Sequence, residues 1–414
     1  MSEEFHLHRF DNGLTLLAEP MPWLESAAFS FLLPAGSAHD PLDRPGLANF
    51  ACEMVQRGCG ERDSRRFLED LENLGVDRGA SVGNLTVFYD AAMLAEKLEE
   101  VLAIHADLLR RPLLPPEQLE DARRVCLQEI YGVEDDPPHQ VMVELRKSLY
   151  RDPLARPSYG TEEGIESITL HDIQRHVRRT YQPAGVILGV AGKIEWPAVR
   201  DMVERLFGDW EPAPLEPILE ARGAGGYRHL EFPSEQVQVA VAYPLVPYHH
   251  ADYLRASASV GVLSGGMSSR LFDEIREKRG LCYSVYASTD TTRNHGNVVC
   301  YAGTSTDRAQ ETLDVMLAEL RKLGEGVRPD ELRRLKTIIK SGLVMRQESS
   351  RSRAGGMAIE YYFLGRVRSL DEITRLIDAL TCETINEFLT AHPPEDFTVV
   401  TLGSEPLEVA LGVS

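Results

Sequence analysis

The chain has 414 residues, 43% of them hydrophobic and 26% charged, a composition that suits two soluble globular domains of about 200 residues and excludes a disordered chain. Against 44 basic residues stand 64 acidic ones, a net charge of −20, which argues against nucleic acid and anionic membrane as partners. It is compatible with cationic peptides, or with an acidic surface that only keeps the protein in solution.

In chain order, the segments 5–10 and 14–18 flank Asp11-Asn12-Gly13, a strong hairpin signal, and 26–33 is an apolar run typical of a buried strand. Helical spacing follows at 45–57 and 64–74, then strands at 76–82 and 85–92. Helices are predicted at 94–110, 116–132, 138–149, 162–166 and 170–180, a strand at 185–191 and a helix at 196–207. A loop rich in Pro, Gly and Ala at 211–226 lacks apolar periodicity and reads as a linker. The order then repeats: strands at 227–232 and 237–243, helices at 250–263 and 267–279, strands at 282–289 and 296–303. Helices at 307–323, 329–348, 352–364, 370–379 and 383–391 precede a closing strand at 397–402. A repeat of about 210 residues implies a duplicated α+β fold. Each of the two homologous domains (1–210 and 227–414) is then a mostly antiparallel sheet flanked by helices. Long helix pairs would cover one face of each sheet, leaving the other face or edge to something else. The first residues show no basic segment followed by an apolar one, no apolar run has membrane-spanning length, and the six cysteines form no CxxC pair. The expectation is a cytoplasmic protein without a membrane partner.

Two stretches carry chemistry. In the second half, Gly265-Gly266-Met267-Ser268-Ser269-Arg270-Leu271 opens a helix that stops at Gly280, and Arg276 and Tyr283 stand seven residues apart. Taken singly, Arg276 reads as a helix Arg paired with a neighbour such as Asp273, and Tyr283 as a strand aromatic packed on its sheet. Together with the glycine turn they closely resemble the second-domain signature of the pitrilysin/insulinase-type zinc peptidases. There the resemblance implies that the Arg and Tyr hold the substrate. A guanidinium offers fixed donors to a peptide carbonyl, and a tyrosine hydroxyl can donate to an oxygen on which charge develops. The strand 284–289 alternates in character and, at a sheet edge, could pair with a peptide main chain.

In the first half, Pro45-Gly46-Leu47-Ala48-Asn49-Phe50-Ala51-Cys52-Glu53-Met54-Val55 is similar to the family's metal-binding helix, which bears H-x-x-E-H with two zinc ligands and a general base. Asn49 stands for the first His, Cys52 for the base and Glu53 for the second His. Glu129, in Val125-Cys126-Leu127-Gln128-Glu129-Ile130, alone keeps the type of the third ligand. Gly79 and Ala80 fall where the family places a substrate-pairing edge strand. An amide is a poor zinc ligand and no carboxylate occupies the base position. The open readings are a degenerate site with ordinary packing, an all-oxygen site for a hard cation at Asn49, Glu53 and Glu129, or nucleophilic chemistry at Cys52. Other histidines carry less. His249 and His250 suit a surface or capping role. His171 and His176 are spaced poorly for one metal, and His6 and His8 alternate on a strand face expected to be exposed.

The resemblance spans nearly the whole chain. It implies the non-catalytic subunit of a heterodimeric zinc metallopeptidase similar to the mitochondrial processing type, with no metal bound to this chain and Zn expected in an H-x-x-E-H partner. On that reading unfolded peptides are the substrate, Arg276 and Tyr283 serve the shared chamber, and the isolated chain is inactive. The alternatives are a structural pseudopeptidase scaffold and a homodimeric peptide-binding protein without hydrolysis.

Overall fold

The computed structural model describes residues 5–409. The first half runs β1 (His6–Arg9), β2 (Thr15–Pro20), β3 (Ser26–Leu33), α1 (Leu47–Val55), a small hairpin β4–β5 (Gly58–Cys59 and Arg62–Asp63), α2 (Ser64–Asn73), β6 (Asp77–Val82) and β7 (Val87–Leu94). It continues through α3 (Leu98–Arg110), α4 (Leu119–Glu134), α5 (Pro137–Leu149), α6 (Glu162–Ser167), α7 (Leu170–Thr180), β8 (Ile187–Gly192) and α8 (Trp196–Phe207). The second half runs β9 (Tyr227–Glu231), β10 (Gln236–Leu245), α9 (Tyr253–Ser264), β11 (Cys282–Thr291), β12 (Gly296–Ser305), α10 (Ala309–Leu323), α11 (Pro329–Arg346), α12 (Ser350–Leu364), α13 (Leu370–Ala379), α14 (Cys382–Ala391) and β13 (Thr398–Gly403). The turn at Asn12-Gly13 joins β1 to β2 as the sequence suggested, with Gly13 at φ +90°, where a side chain would be strained. Among the described residues no helix is long and apolar enough to cross a membrane.

The duplication is visible in strand order. One sheet reads β1-β2-β8-β3-β7-β6, and the other, from its far edge, β9-β13-β10-β12-β11. In both, the last strand of the half inserts between two earlier ones and runs parallel to one of them, as the pairs β2/β8 and β13/β9, while the other neighbours are antiparallel. By position, β6 and β11 are equivalent edge strands. Each has a paired neighbour on one side only, which leaves a row of main-chain donors and acceptors along the other.

The packing units cut across the sequence halves. One unit comprises the segment up to Gly132, Asp152–Leu219 and Val344–Ser369. The other comprises Val133–Arg151, Glu220–Leu343 and the segment from Leu370. The face of the first sheet left open by its own helices is covered by α12. Ala354, Met357, Ala358 and Tyr361, at helical spacing, pack on Leu17, Ala28, Leu32 and Ile187. The open face of the second sheet is covered by α5, through Val141 and Leu145 against Ala240, Ala242, Val299 and Val400. Each half therefore lends one helix to the other's sheet. This explains why β3 and β8 are apolar without alternation: both of their faces are buried.

Polar contacts fix the lent helices. Gly189 lies so close under α12 that a Cβ there would sit 2.2 Å from the Ala354 carbonyl oxygen. Arg353 of α12 pairs with the buried Glu19, and Arg351 pairs with Asp77 (2.6 Å) and with Asp90. The Tyr361 hydroxyl accepts from Arg9 at 2.6 Å. After α5, the Tyr150 hydroxyl donates to Asp290 at 3.1 Å and accepts from Asn297 at 2.9 Å. Residues 211–226 are coil apart from a bridge between Arg222 and Tyr150.

Candidate functional site

In the first unit, α1 carries Asn49, Cys52 and Glu53. The helix starts at Gly46, in the left-handed region at φ +96°, and is capped from a distance: the buried Asp40 carboxylate accepts from the main-chain N–H of Gly46 and of Ala48, both at 2.8 Å. Each of the four degenerate positions is engaged. The Asn49 amide donates to Glu129 Oε2 at 2.7 Å. Glu53 accepts two hydrogen bonds from Arg57, one turn along, at 2.7 and 3.2 Å. Arg78 of β6 also lies in the field of Glu53 and donates to Gln56 at 2.8 Å. Cys52 faces inward, 5% exposed, where its sulfur accepts from the Tyr89 hydroxyl at 3.3 Å, and Tyr89 shares a 2.8 Å hydrogen bond with Tyr181. Burial pushes the Cys52 thiol up to about 12, with the charges of Glu53 and Glu129 adding to it; the hydrogen bond from Tyr89 works the other way. Cys126 is pushed up to about 12 by the same cause.

These donors do not fit a zinc ion. A thiolate ligand must lose its proton, which burial opposes at Cys52. Glu53 already has a cation, the Arg57 guanidinium, and Asn49 and Glu129 satisfy each other. Among the described residues no three His, Cys, Asp or Glu side chains converge as a metal site requires. The same engagement weakens the hard-cation reading, and the protonated, buried thiol weakens the nucleophile reading. Arg57 was readable in the sequence as the i+4 partner of Glu53. Arg78 was not, because only the fold brings β6 beside α1.

The edge strand β6 holds Gly79 and Ala80, opposite Asp90 and Tyr89 of β7. A Cβ at Gly79 would come within 3.0 Å of Asp90 Oδ1 and 3.3 Å of the Arg351 guanidinium. Glycine thus lets the ion pair of Asp90 and Arg351 lie flat across the strand.

In the second unit, the predicted helix at 267–279 is shorter and irregular. Residues 270 and 271 are α-helical, and Phe272–Glu277 widen into a π turn, with the Lys278 N–H donating to the Asp273 carbonyl, five residues back, at 2.9 Å. Gly280, at φ +60°, ends it. The following strand has a bulge: Cys282 faces Thr304 and Ser284 faces Gly303, so Tyr283 is the extra residue. Two local irregularities therefore aim the pair. Tyr283 projects 84% exposed, and the Arg276 guanidinium carbon sits 4.9 Å above its ring and 4.8 Å from the Phe272 ring. Asp273 pairs with Lys278 (2.8 Å) rather than with Arg276. Among the described residues Arg276 has no ion pair, and neither its guanidinium nor the Tyr283 hydroxyl has a hydrogen-bond partner. Neither plain structural reading survives: the Arg is not ion-paired, and the Tyr does not pack on its sheet. Behind them Leu271 and Ile275 are fully buried, and Arg270 makes a buried two-pronged pair with Glu331 at 2.8 and 2.9 Å.

Sequence comparison identifies the family. Residues 18–162 match the profile described as Insulinase (Peptidase family M16), and residues 167–339 match that of the Peptidase M16 inactive domain. The chain belongs to the M16 insulinase family. Among its M16 relatives, an uncharacterized zinc protease of Rickettsia felis is 28% identical over 387 residues, 93% of this chain and 94% of that protein. The uncharacterized zinc protease YmxG of Bacillus subtilis is 27% identical over 405 residues, 94% and 96% of the two chains. The crystal structure of a peptidase M16 inactive domain from Pseudomonas fluorescens superposes with a TM-score of 0.88 at 23% identity, over 98% of this chain and all of that one. A protease from Helicobacter pylori gives the same score and coverage at 19% identity. Both structures share the M16 two-domain fold seen here.

Of the other histidines singled out, His6, His8 and His250 make structural contacts. His6 stacks on Trp196 at 4.8 Å and His8 meets Phe10 edge-on, so their strand face is half-buried rather than exposed. His171 is exposed and His176 buried, on opposite sides of α7. His250 Nδ1 accepts from the Asp252 N–H at 3.2 Å, at the start of α9, which is the expected capping role.

Proposed function

We propose that this chain is the metal-free subunit of a heterodimeric M16 zinc endopeptidase, pairing with a homologue that bears H-x-x-E-H. The observation that carries the reading is the contrast between its two candidate sites. The positions of the family's metal site are closed by their own partners, while Arg276 and Tyr283 are held in place with their polar ends uncommitted. On this reading the chain binds no zinc and does no hydrolysis alone. An unfolded peptide adds to an edge strand by main-chain pairing, at Gly79 and Ala80 on β6 or along β11. Arg276 offers planar donors to a substrate carbonyl. The Tyr283 hydroxyl donates to the carbonyl oxygen as negative charge builds there, an interaction stronger in the transition state than in the ground state.

Tyr283→Phe keeps the ring under Arg276 and removes only the hydroxyl. In the mixed complex it should lower kcat about 100-fold, the size of a lost oxyanion donor, with a small change in KM. Unchanged kcat would remove Tyr283 from the reaction.

A further inference from the structure

The strap that presents Arg276 and Tyr283 begins beside a cavity of about 420 Å³ between the end of α9, the glycine turn and α11. That volume is in the range of sites that take a small ligand or a large side chain. Val262 and Leu335, both buried, form the floor. Met267 and Ile338 stand on the rim at 80% and 50% exposed, an apolar pair that no described residue covers. Glycine sets the approach of the two helices beside it. A Cβ at Gly261 would lie 2.6 Å from Leu335 Cδ1, so α11 approaches α9 only because that position is bare.

The mouth carries charge of the opposite sign to the chain as a whole. Glu331, at the edge, is neutralised by the two-pronged bond from Arg270 and by Arg328 at 3.0 Å. Arg334 pairs with Asp330 at 3.0 Å. Arg333 lines the mouth, exposed, and makes no ion pair among the described residues. An uncommitted guanidinium beside an apolar cavity, in a chain of net charge −20, marks a local preference for a carboxylate next to an apolar group.

We infer that this cavity is a side-chain subsite for an extended peptide, taking a residue of leucine or phenylalanine size whose neighbour is an aspartate or glutamate facing Arg333. The inference rests on the reading of this chain as a peptide-binding subunit and names the kind of peptide.

The test uses the full chain alone and fluorescein-labelled, glycine-rich decapeptides carrying a Leu-Asp step, read by fluorescence anisotropy. The wild-type chain should bind the Leu-Asp peptide about 10-fold more tightly than the same peptide with serine for leucine. It should also prefer it to the peptide with lysine for aspartate. Ile338→Gln should abolish the leucine preference, and Arg333→Glu should reverse the aspartate preference. Both residues are exposed, and unchanged melting curves would show that the variants fold. Equal binding of the three peptides, or preferences untouched by both substitutions, would overturn the inference. Arg276→Ala separates the two readings. If it abolishes binding while the cavity variants bind as wild type, the subsite falls and the Arg/Tyr reading stands. If the cavity variants lose their preferences and Arg276→Ala changes nothing, the subsite stands and the role of Arg276 falls.

Discussion

Replacing His176 by leucine should make the first unit less sensitive to acid, by an amount that follows from its surroundings. His176 lies on α7, 2% exposed, and neither ring nitrogen has a hydrogen-bond partner of good geometry, although the Ala35 main chain favours the charged form. Burial holds its pKa at about 3, against 6.5 for a free histidine, with the charges of Arg179 and His39 adding to the effect. The folded protein thus keeps this ring neutral where the unfolded chain would protonate it. Its contribution is fully present above pH 6.5 and is lost progressively as the pH falls toward 3. At about pH 5 the unfolded ring lies about 1.5 units below its pKa, and at 1.4 kcal/mol per unit the loss is about 2 kcal/mol. His105, also buried and held at about 4, adds a loss of the same sign. Asp40 acts in the other sense, since burial raises its carboxyl to about 7 against the N–H bonds from Gly46 and Ala48, and acid favours its buried protonated form. Comparing wild type with His176→Leu cancels these background groups. Urea unfolding near pH 7.5 and pH 5 should show the variant gaining about 2 kcal/mol on wild type between the two conditions. At the higher pH it should match or exceed wild type, because a buried polar group without partners is removed. A difference independent of pH would refute the argument that His176 is held neutral by burial.

Two further substitutions test the frame of the molecule. Gly189→Val places a side chain where the Ala354 carbonyl oxygen now lies, so α12 must lift off the first sheet. Chemical denaturation should show a loss of about 3 kcal/mol or more, with faster proteolysis around residues 344–350, whereas wild-type stability would mean that α12 is not seated as described. Arg270→Met removes the two-pronged bond to the buried Glu331, which keeps only the exposed Arg328 at 3.0 Å, and should cost about 2 to 3 kcal/mol by urea titration, while Arg270→Met with Glu331→Leu should recover part of it; equal losses in the single and double variants would show that the pair is not the cause.

The hairpin at Asn12-Gly13 and nearly every helix were legible because each has a short-range signature: a turn dipeptide, a period or a breaker. The duplication was legible because those signatures recur in the same order. The exchange of helices was not. The unbroken apolar character of 26–33 says that both faces of β3 are buried, but the amphipathic stripe of α12 does not say which sheet it meets. The substituted metal positions could be read directly from Asn49, Cys52 and Glu53. Their closure by Arg57 was half visible at i+4, and that by Arg78 and Tyr89 depends on strand pairing. Arg276 and Tyr283 were singled out by the resemblance of their stretch to a family signature, seven-residue spacing included, yet the reason they project is a π turn and a one-residue bulge. Neither changes the composition of its segment, so neither leaves a periodic trace. The half-burial of His6 was missed because its partner, Trp196, meets it only through the fold, whereas Phe10, two residues from His8 on the same strand face, was a local neighbour that the sequence did offer.

The central claim is that this chain binds peptide without metal and depends on a partner for hydrolysis. Zinc content and cleavage of a quenched peptide library, measured on the purified chain alone and again after mixing with the H-x-x-E-H homologue from the same source, test it most directly. Expected are no stoichiometric zinc in this chain, no cleavage by either chain alone, and one zinc per heterodimer with cleavage in the mixture. Zinc and cleavage in the purified chain by itself would contradict it, and would mean that Asn49, Cys52, Glu53 and Glu129 do hold a working metal.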